Sequence, residues 1–302
     1  MKLRVVHRTT YRYSEAVTTS RHEARLSPRE QEHQHTISHH VEIVPRPSVR
    51  RRRFDYFGNR ALHFSLAEPH RSLEVVAQSV VDVNPLPQPD LSRTLPWEAV
   101  RDRLRSDRHR DVLDACEMTF ESPHVKLSAE LEAYAAPSFA AGRPVLEAVR
   151  DLVSRVHRDF TYDAGATEVS TPLAHVMEAR RGVCQDFAHL AIGCLRGVGL
   201  AGRYVSGYLL TRPPPGKPRL VGADASHAWF ATWVPRLGWI DFDPTNDLIP
   251  AQDHVTIGHG RDFSDVTPMR GVILGGGAHQ LAVSVDVTPA DATPADAAPA
   301  DA

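Results

Sequence analysis

The stretch NPLPQPDLSRTLP, residues 84 to 96, holds four prolines in thirteen residues. Each proline locks φ at roughly −65° and lacks an N–H, so neither a helix interior nor a central strand runs through it. Regular structure must therefore be built on either side. Residues 85–96 are expected to form a stiff, extended linker between two domains.

Upstream, residues 1–84 read as β. RVVHRTTYRYS, RHEARLSP, TISHHVEIVP, ALHFSLA and LEVVAQSVVDV are rich in Val, Ile, Tyr and Thr and alternate in part. Turn signals separate them at Ser27-Pro28, Pro45-Arg46-Pro47 and Gly58-Asn59. The expectation is a small all-β module, sandwich-like or barrel-like.

Downstream the texture turns helical. Pro144 opens a helix with Leu146, Val149, Leu152, Val153 and Val156 on one face. Thr171-Pro172 reads as an N-cap with proline at the first helical position. From Cys184 onward, Phe187, Leu190, Ala191, Cys194 and Leu195 make a core-facing stripe that ends at Gly197 and Gly199. GRYVSGYLL, SHAWFATWV and GWIDFD follow as strands, then RGVILGG and HQLAVSVDV. Helices followed by antiparallel-looking strands imply an α+β core over residues 97–287. The repeat TPADATPADAAPADA, residues 288–302, has nothing to bury and is expected to be disordered.

Bulk numbers exclude several function classes. A net charge of −2 gives no reason to expect nucleic acid or an acidic membrane as partner. Three cysteines without a CxxC pair suggest neither a disulfide framework nor a thiolate zinc site. With no apolar leader in MKLRVVHRTTYRYSE and no long apolar run, a cytoplasmic protein with reduced thiols is expected.

The cysteines differ in company. Cys194 lies on the buried stripe and reads as a small core residue. Cys184 follows Gly182-Val183 at a helix start, where free N–H groups and the helix dipole favour a thiolate. A thiolate nucleophile needs a base, and the base needs an orienting group. His227 opens a strand whose alternation places it with Trp229, Ala231 and Trp233. Asp243 ends the next strand before Pro244, with Asp224, Asp241 and Asp247 as rival carboxylates that spacing leaves open.

GVCQDFAHL and SHAWFATWVPRLGWIDFDPTN resemble the transglutaminase-like core, a papain-like fold with Cys, His and Asp in that chain order. HRTTYRYSEAV, FDYFGN and EPHRSLEV resemble the N-terminal β-domain of a bacterial subgroup. The resemblance implies that Cys184, His227 and Asp243 are the catalytic triad. It implies a peptide or protein substrate and no cofactor or metal.

Other residues compete for attention. Tyr162 is a candidate oxyanion donor beside the backbone N–H of Cys184, with packing as the competing role. His33, His35, His39 and His40 form a histidine-rich segment with acidic neighbours, expected to be a polar loop and strand edge rather than a metal site. Arg50 to Arg53 read as a solvated turn or strand edge. His189 is expected to make a structural hydrogen bond. Gly275 to Gly277 lack the Lys-Ser/Thr of a phosphate-binding loop.

The expectation is therefore acyl transfer through a thioester, hydrolytic as in a protease or amidase rather than cross-linking, because water is the default acceptor. Protein-glutamine cross-linking and non-catalytic peptide binding in the same groove are the alternatives.

Overall fold

The computed structural model describes residues 1–211, 219–220, 226–291 and 297–298. Five strands precede the linker: β1 (Lys2–Ala24), β2 (Gln34–Val44), β3 (Val49–Phe54), β4 (Arg60–Leu66) and β5 (His70–Val83). The first two expected segments are one strand of 23 residues. Its first half pairs with β5, from Lys2↔Asp82 to Arg12↔Ser72, and its end pairs with β4, from Ser20↔Leu66 to Ala24↔Leu62. The register shifts between Arg12 and Val17. β2 lies beyond β5 and β3 beyond β4. The two halves of this sheet share one core, with Val41, Ile43, Leu73 and Val75 packed with Leu62, Phe64 and Leu66.

The other edge of β1 is covered from the far end of the chain. β13 (Met269–Gly275) and β14 (His279–Pro289) both pair antiparallel with it. A core extending to residue 287 is therefore corrected, because the return strands complete the N-terminal sheet. A long strand leaves an edge of N–H and C=O groups that need partners, and these segments supply them. The tail expected from residue 288 begins inside β14; residues 292–296 and 299–302 lie outside the described residues.

After the linker come α1 (Trp97–Ser106), α2 (Arg110–Cys116), α3 (Ala129–Ala135) and α4 (Val145–Asp159). Then follow β6 (Thr161–Tyr162), α5 (Leu173–Ala179), β7 (Arg181–Gly182) and α6 (Cys184–Gly197). α4 buries Leu146, Val149, Leu152, Val153 and Val156 completely. α5 begins one residue later than expected, with Pro172 as its N-cap. The strands β8 (Gly202–Leu209), β9 (Arg219–Leu220), β10 (Ser226–Val234), β11 (Gly238–Phe242) and β12 (His254–Gly260) precede the short α7 (Phe263–Val266). Four of them form an antiparallel sheet in the order β11-β10-β8-β12. Among the described residues, no helix is long and apolar enough to cross a membrane.

This sheet is a central layer. On one face α6 lays Leu190, Ala191, Cys194 and Leu195 against Phe230 and Phe242. On the other, Tyr208, Leu210, Val255 and Ile257 meet Leu3, Val5, Val81, Val83, Val285 and Val287 of the N-terminal sheet. Each large side chain buried there contributes about 1.5–3 kcal/mol. Two side-chain amides of the N-terminal domain finish the seam at the edge strand β12. Gln34 Nε2 donates to the Thr256 carbonyl at 2.8 Å, and the Thr256 N–H donates to Gln34 Oε1 at 2.7 Å. Asn59 makes the same pair with His259 at 2.9 and 3.0 Å. Each amide stands in for a neighbouring strand, so the exposed edge of β12 is closed by the other domain.

Candidate active site

Cys184 is the first residue of α6, and the local sequence explains why the helix starts there. A Cβ on Gly182 would stand 2.7 Å from Asp186 Oδ2. Glycine alone leaves room for that carboxylate to fold back onto the turn. Asp186 then accepts the Val183 N–H at 2.8 Å and the Thr167 hydroxyl at 2.6 Å. Burial pushes the Asp186 carboxyl up, and the two hydrogen bonds offset this in part. The first N–H groups of α6 have no acceptor within the helix, so they face outward beside the partly exposed thiol. Tyr162 pairs with Gly182 across β6 and β7 and is half exposed. Burial and its nearness to Cys184 raise its hydroxyl above the usual tyrosine value.

His227 lies near the start of β10, opposite Gly207 of β8. A Cβ at Gly207 would meet the Trp229 ring at 2.4 Å, so this glycine lets the indole lie over the strand. Trp229 is fully buried, and its ring centroid is 6.0 Å from that of His227. Its Nε1 donates to Asp241 Oδ2 at 2.8 Å, which occupies one rival carboxylate. Asp247 is a second rival, and it is tied to Arg150 and Ser154. Asp224 lies outside the described residues.

Asp243 follows β11 and is fully buried. Its Oδ2 accepts His227 Nε2 at 2.7 Å, Asn246 Nδ2 at 2.7 Å and His254 Nε2 at 3.1 Å. Its Oδ1 accepts the N–H groups of Thr245 and Asn246 at 2.9 and 3.2 Å. Burial alone would raise this carboxyl, but the donors from His227, His254 and Asn246 outweigh it and hold it well below the carboxylate range. Burial likewise disfavours a charged His227. Hydrogen bonds to Asp243 and to Cys184 prevail and push it up to about 10. Because Nε2 is taken by Asp243, Nδ1 is the ring nitrogen left for the thiol.

The structure thus hydrogen-bonds His227 to Asp243 and sets Cys184 close enough to His227 to raise it, with Tyr162 near the thiol. The other candidates fall elsewhere. Cys194 is fully buried, and burial pushes its thiol up to about 12. His189 accepts the Phe263 N–H at 3.1 Å as a structural histidine. His39 bonds Ser27 and Ser79 at 2.8 and 2.9 Å while His35 stays exposed, separated by a register irregularity between Thr36 and Ser38. Arg50 to Arg53 lie in the exposed edge strand β3. The ligating atoms of His227, Asp243 and His254 lie within 4.8 Å of one another, which also meets the spacing of a metal site.

Asn246 and His254 were not among the residues the sequence singled out. Asn246 stands in the FDPTN motif three residues after Asp243, so its place was in view. His254 had no such signal, because HVTIGHG mixes glycines and histidines into its alternation and reads poorly as a strand.

Comparison with known proteins gives the family of this fold. Residues 3–82 match the bacterial transglutaminase-like N-terminal region, and residues 132–244 match the transglutaminase-like superfamily. The chain belongs to the transglutaminase-like superfamily, in its bacterial form with an N-terminal β-domain. It is 44% identical over 297 residues to an uncharacterised protein of Mycobacterium tuberculosis, covering 95% of this chain and 93% of that protein. An uncharacterised protein of Mycobacterium leprae is 36% identical over 291 residues, covering 95% and 98%. A protein-glutamine gamma-glutamyltransferase of Pseudomonas aeruginosa is 29% identical over 107 residues, 33% of this chain and 16% of that enzyme. Among solved structures, a protein of Cytophaga hutchinsonii described as a candidate cysteine protease aligns with a TM-score of 0.76. It covers 97% of this chain and 92% of that one at 22% identity, a likeness of fold.

Proposed function

We propose that this protein is a cysteine-dependent acyl-transfer enzyme that acts on amide or peptide bonds. The observation that carries the reading is the His227–Asp243 hydrogen bond beside Cys184, which opens a buried helix. His227 takes the Cys184 thiol proton as the sulfur attacks the carbonyl carbon and the C=O π pair moves onto oxygen. The first N–H groups of α6 are placed to donate to that oxyanion, with Tyr162 as a further donor. As the carbonyl re-forms, the C–N bond breaks and His227 gives its proton to the departing amine. A thioester on Cys184 remains. Neutral His227 then removes a proton from the incoming acceptor, whose oxygen or nitrogen displaces the sulfur. Asp243 stays ionised throughout and holds the imidazole in one tautomer.

Water as acceptor makes the protein a protease or amidase; an amine makes it a transglutaminase. Cys184 is partly exposed and Tyr162 half exposed, which supports access of water to the thioester. The likeness to the Pseudomonas gamma-glutamyltransferase supports the second outcome over the matched segment. Incubating the protein with glutamine-containing peptides, with and without a primary amine, and weighing the products separates the two. Hydrolysis yields free acid or cleaved peptide in both tubes; cross-linking yields amine adduct in one. A Cys184→Ala protein that retains peptide binding and forms no product is expected. If wild type forms no product and no thioester while still binding peptide, the protein is a binding module instead. A metal-dependent reaction is separated by metal analysis and chelation. Thiol chemistry predicts that overnight dialysis against a chelator leaves product formation unchanged.

A further inference from the structure

The triad carboxylate holds two histidines, and the mechanism above uses one. His254 donates from Nε2 to the same Asp243 oxygen that binds His227, at 3.1 and 2.7 Å. The two rings lie 5.9 Å apart, and both pack against Trp229, with centroids at 5.2 Å for His254 and 6.0 Å for His227. His254 is 5% exposed, so its ring is no solvated bystander. Besides the two imidazoles, Asp243 is held only from within its own turn, by the N–H groups of Thr245 and Asn246 and by Asn246 Nδ2. His254 adds a donor from a different strand, β12, on the oxygen that binds His227.

The other nitrogen of His254 faces away from Asp243. Nδ1 is buried and has no hydrogen-bond partner in the protein. His254 lines a cavity of about 120 Å³ behind the triad, closed by Leu86 to Pro89 of the linker and by Gln31 and His33 of the N-terminal domain. Gln31 Oε1 and Arg203 Nε, on residues lining the same cavity, are also unpartnered. With Nε2 committed as donor to Asp243, Nδ1 of a neutral ring is an acceptor. Here one nitrogen is aimed at the triad. The strand it starts is pinned to the N-terminal domain by Gln34 two residues later, and Gln252 donates to the Val83 carbonyl at 3.2 Å.

We propose that His254 is a positioning residue of the reaction: by donating to Asp243 it fixes the carboxylate on the Cys184–His227 pair, and the N-terminal domain holds His254 in place through β12. The inference rests on the acyl-transfer reading of the triad and assigns the N-terminal domain a part in it. The titratable groups that face this ring are Asp243 and His227 on one side, and Asp241, Arg203 and His33 across the cavity.

The test is the rate of Cys184 carbamidomethylation by iodoacetamide from about pH 5 to 9, read peptide by peptide by mass spectrometry. Wild type, His227→Ala, His254→Phe and His254→Gln are compared, each checked for folding by thermal unfolding. Glutamine places an amide N–H near the Nε2 position; phenylalanine keeps the volume and removes the donor. The proposal predicts that His254→Phe loses about tenfold in rate at about pH 6. It predicts that His254→Gln recovers most of that loss, and that its rate–pH curve returns to the wild-type shape. A folded His254→Phe protein with the wild-type curve overturns this proposal and leaves the triad standing. So does a His254→Gln protein as slow as His254→Phe at equal thermal stability, since the ring rather than the donor would then matter. Equal rates in wild type and His227→Ala overturn the triad reading and this one together.

Discussion

At the scale of single residues, the site is held by donors that converge on Asp243. Its depressed value and the raised value of His227 are linked statements about stability. A histidine whose folded value of about 10 exceeds its ordinary 6.5 stabilises the fold fully below 6.5. That contribution disappears as pH rises towards about 10. Urea unfolding of wild type should therefore weaken over this window, and His227→Ala should flatten that part of the curve. Asp243 works the other way. Its contribution is present above the ordinary carboxylate value of about 3.9 and is lost as pH falls below it, so acid unfolding of Asp243→Asn should show less dependence on pH there. Cys184, His227 and Asp243 were legible as residues because each sits in a short, distinctive sequence. Spacing alone left open which aspartate faces His227, and the family resemblance pointed to Asp243. Asp241 and Asp243 lie two residues apart on one strand direction, and only the turn after Phe242 sends one to His227 and leaves the other for Trp229.

At the scale of elements, the nucleophile depends on how α6 begins. Gly182 is needed for Asp186 to reach the Val183 N–H, so Gly182→Ala must push the carboxylate away or tilt the helix start. The expected cost is about 1–3 kcal/mol in denaturant unfolding, with slower Cys184 alkylation in the remaining folded protein. The stripe from Phe187 to Leu195 was legible because helical periodicity and burial coincide there. β12 was not legible, since two glycines and two histidines in seven residues dilute the β signal. Its stability comes from outside, from β8 on one edge and from Gln34 and Asn59 on the other. Missing that strand meant missing His254, which opens it.

At the scale of the whole molecule, the proline-rich stretch separates two textures of sequence without separating two independent bodies. β13 and β14 carry the chain back to β1, and the outer face of the four-stranded sheet is buried against the N-terminal strands. Long-range pairings of this kind leave little local trace, which is why the return strands read as part of the core. Protein lacking residues 1–83 should therefore be recovered insoluble, with Val255, Ile257 and Tyr208 uncovered and β13 and β14 unpaired. Within the intact chain, Asn59→Ala leaves the His259 N–H and C=O without these partners. It is expected to cost about 1–3 kcal/mol by urea unfolding. The proposed reaction depends on Cys184 and His227 acting as a pair. The most direct measurement is the alkylation rate of each cysteine at about pH 6 in wild type and His227→Ala. Cys184 is expected to react at least about tenfold faster than Cys116 and Cys194, and His227→Ala to remove the difference. A Cys184 that reacts no faster than Cys116, and is indifferent to His227, would contradict the pairing.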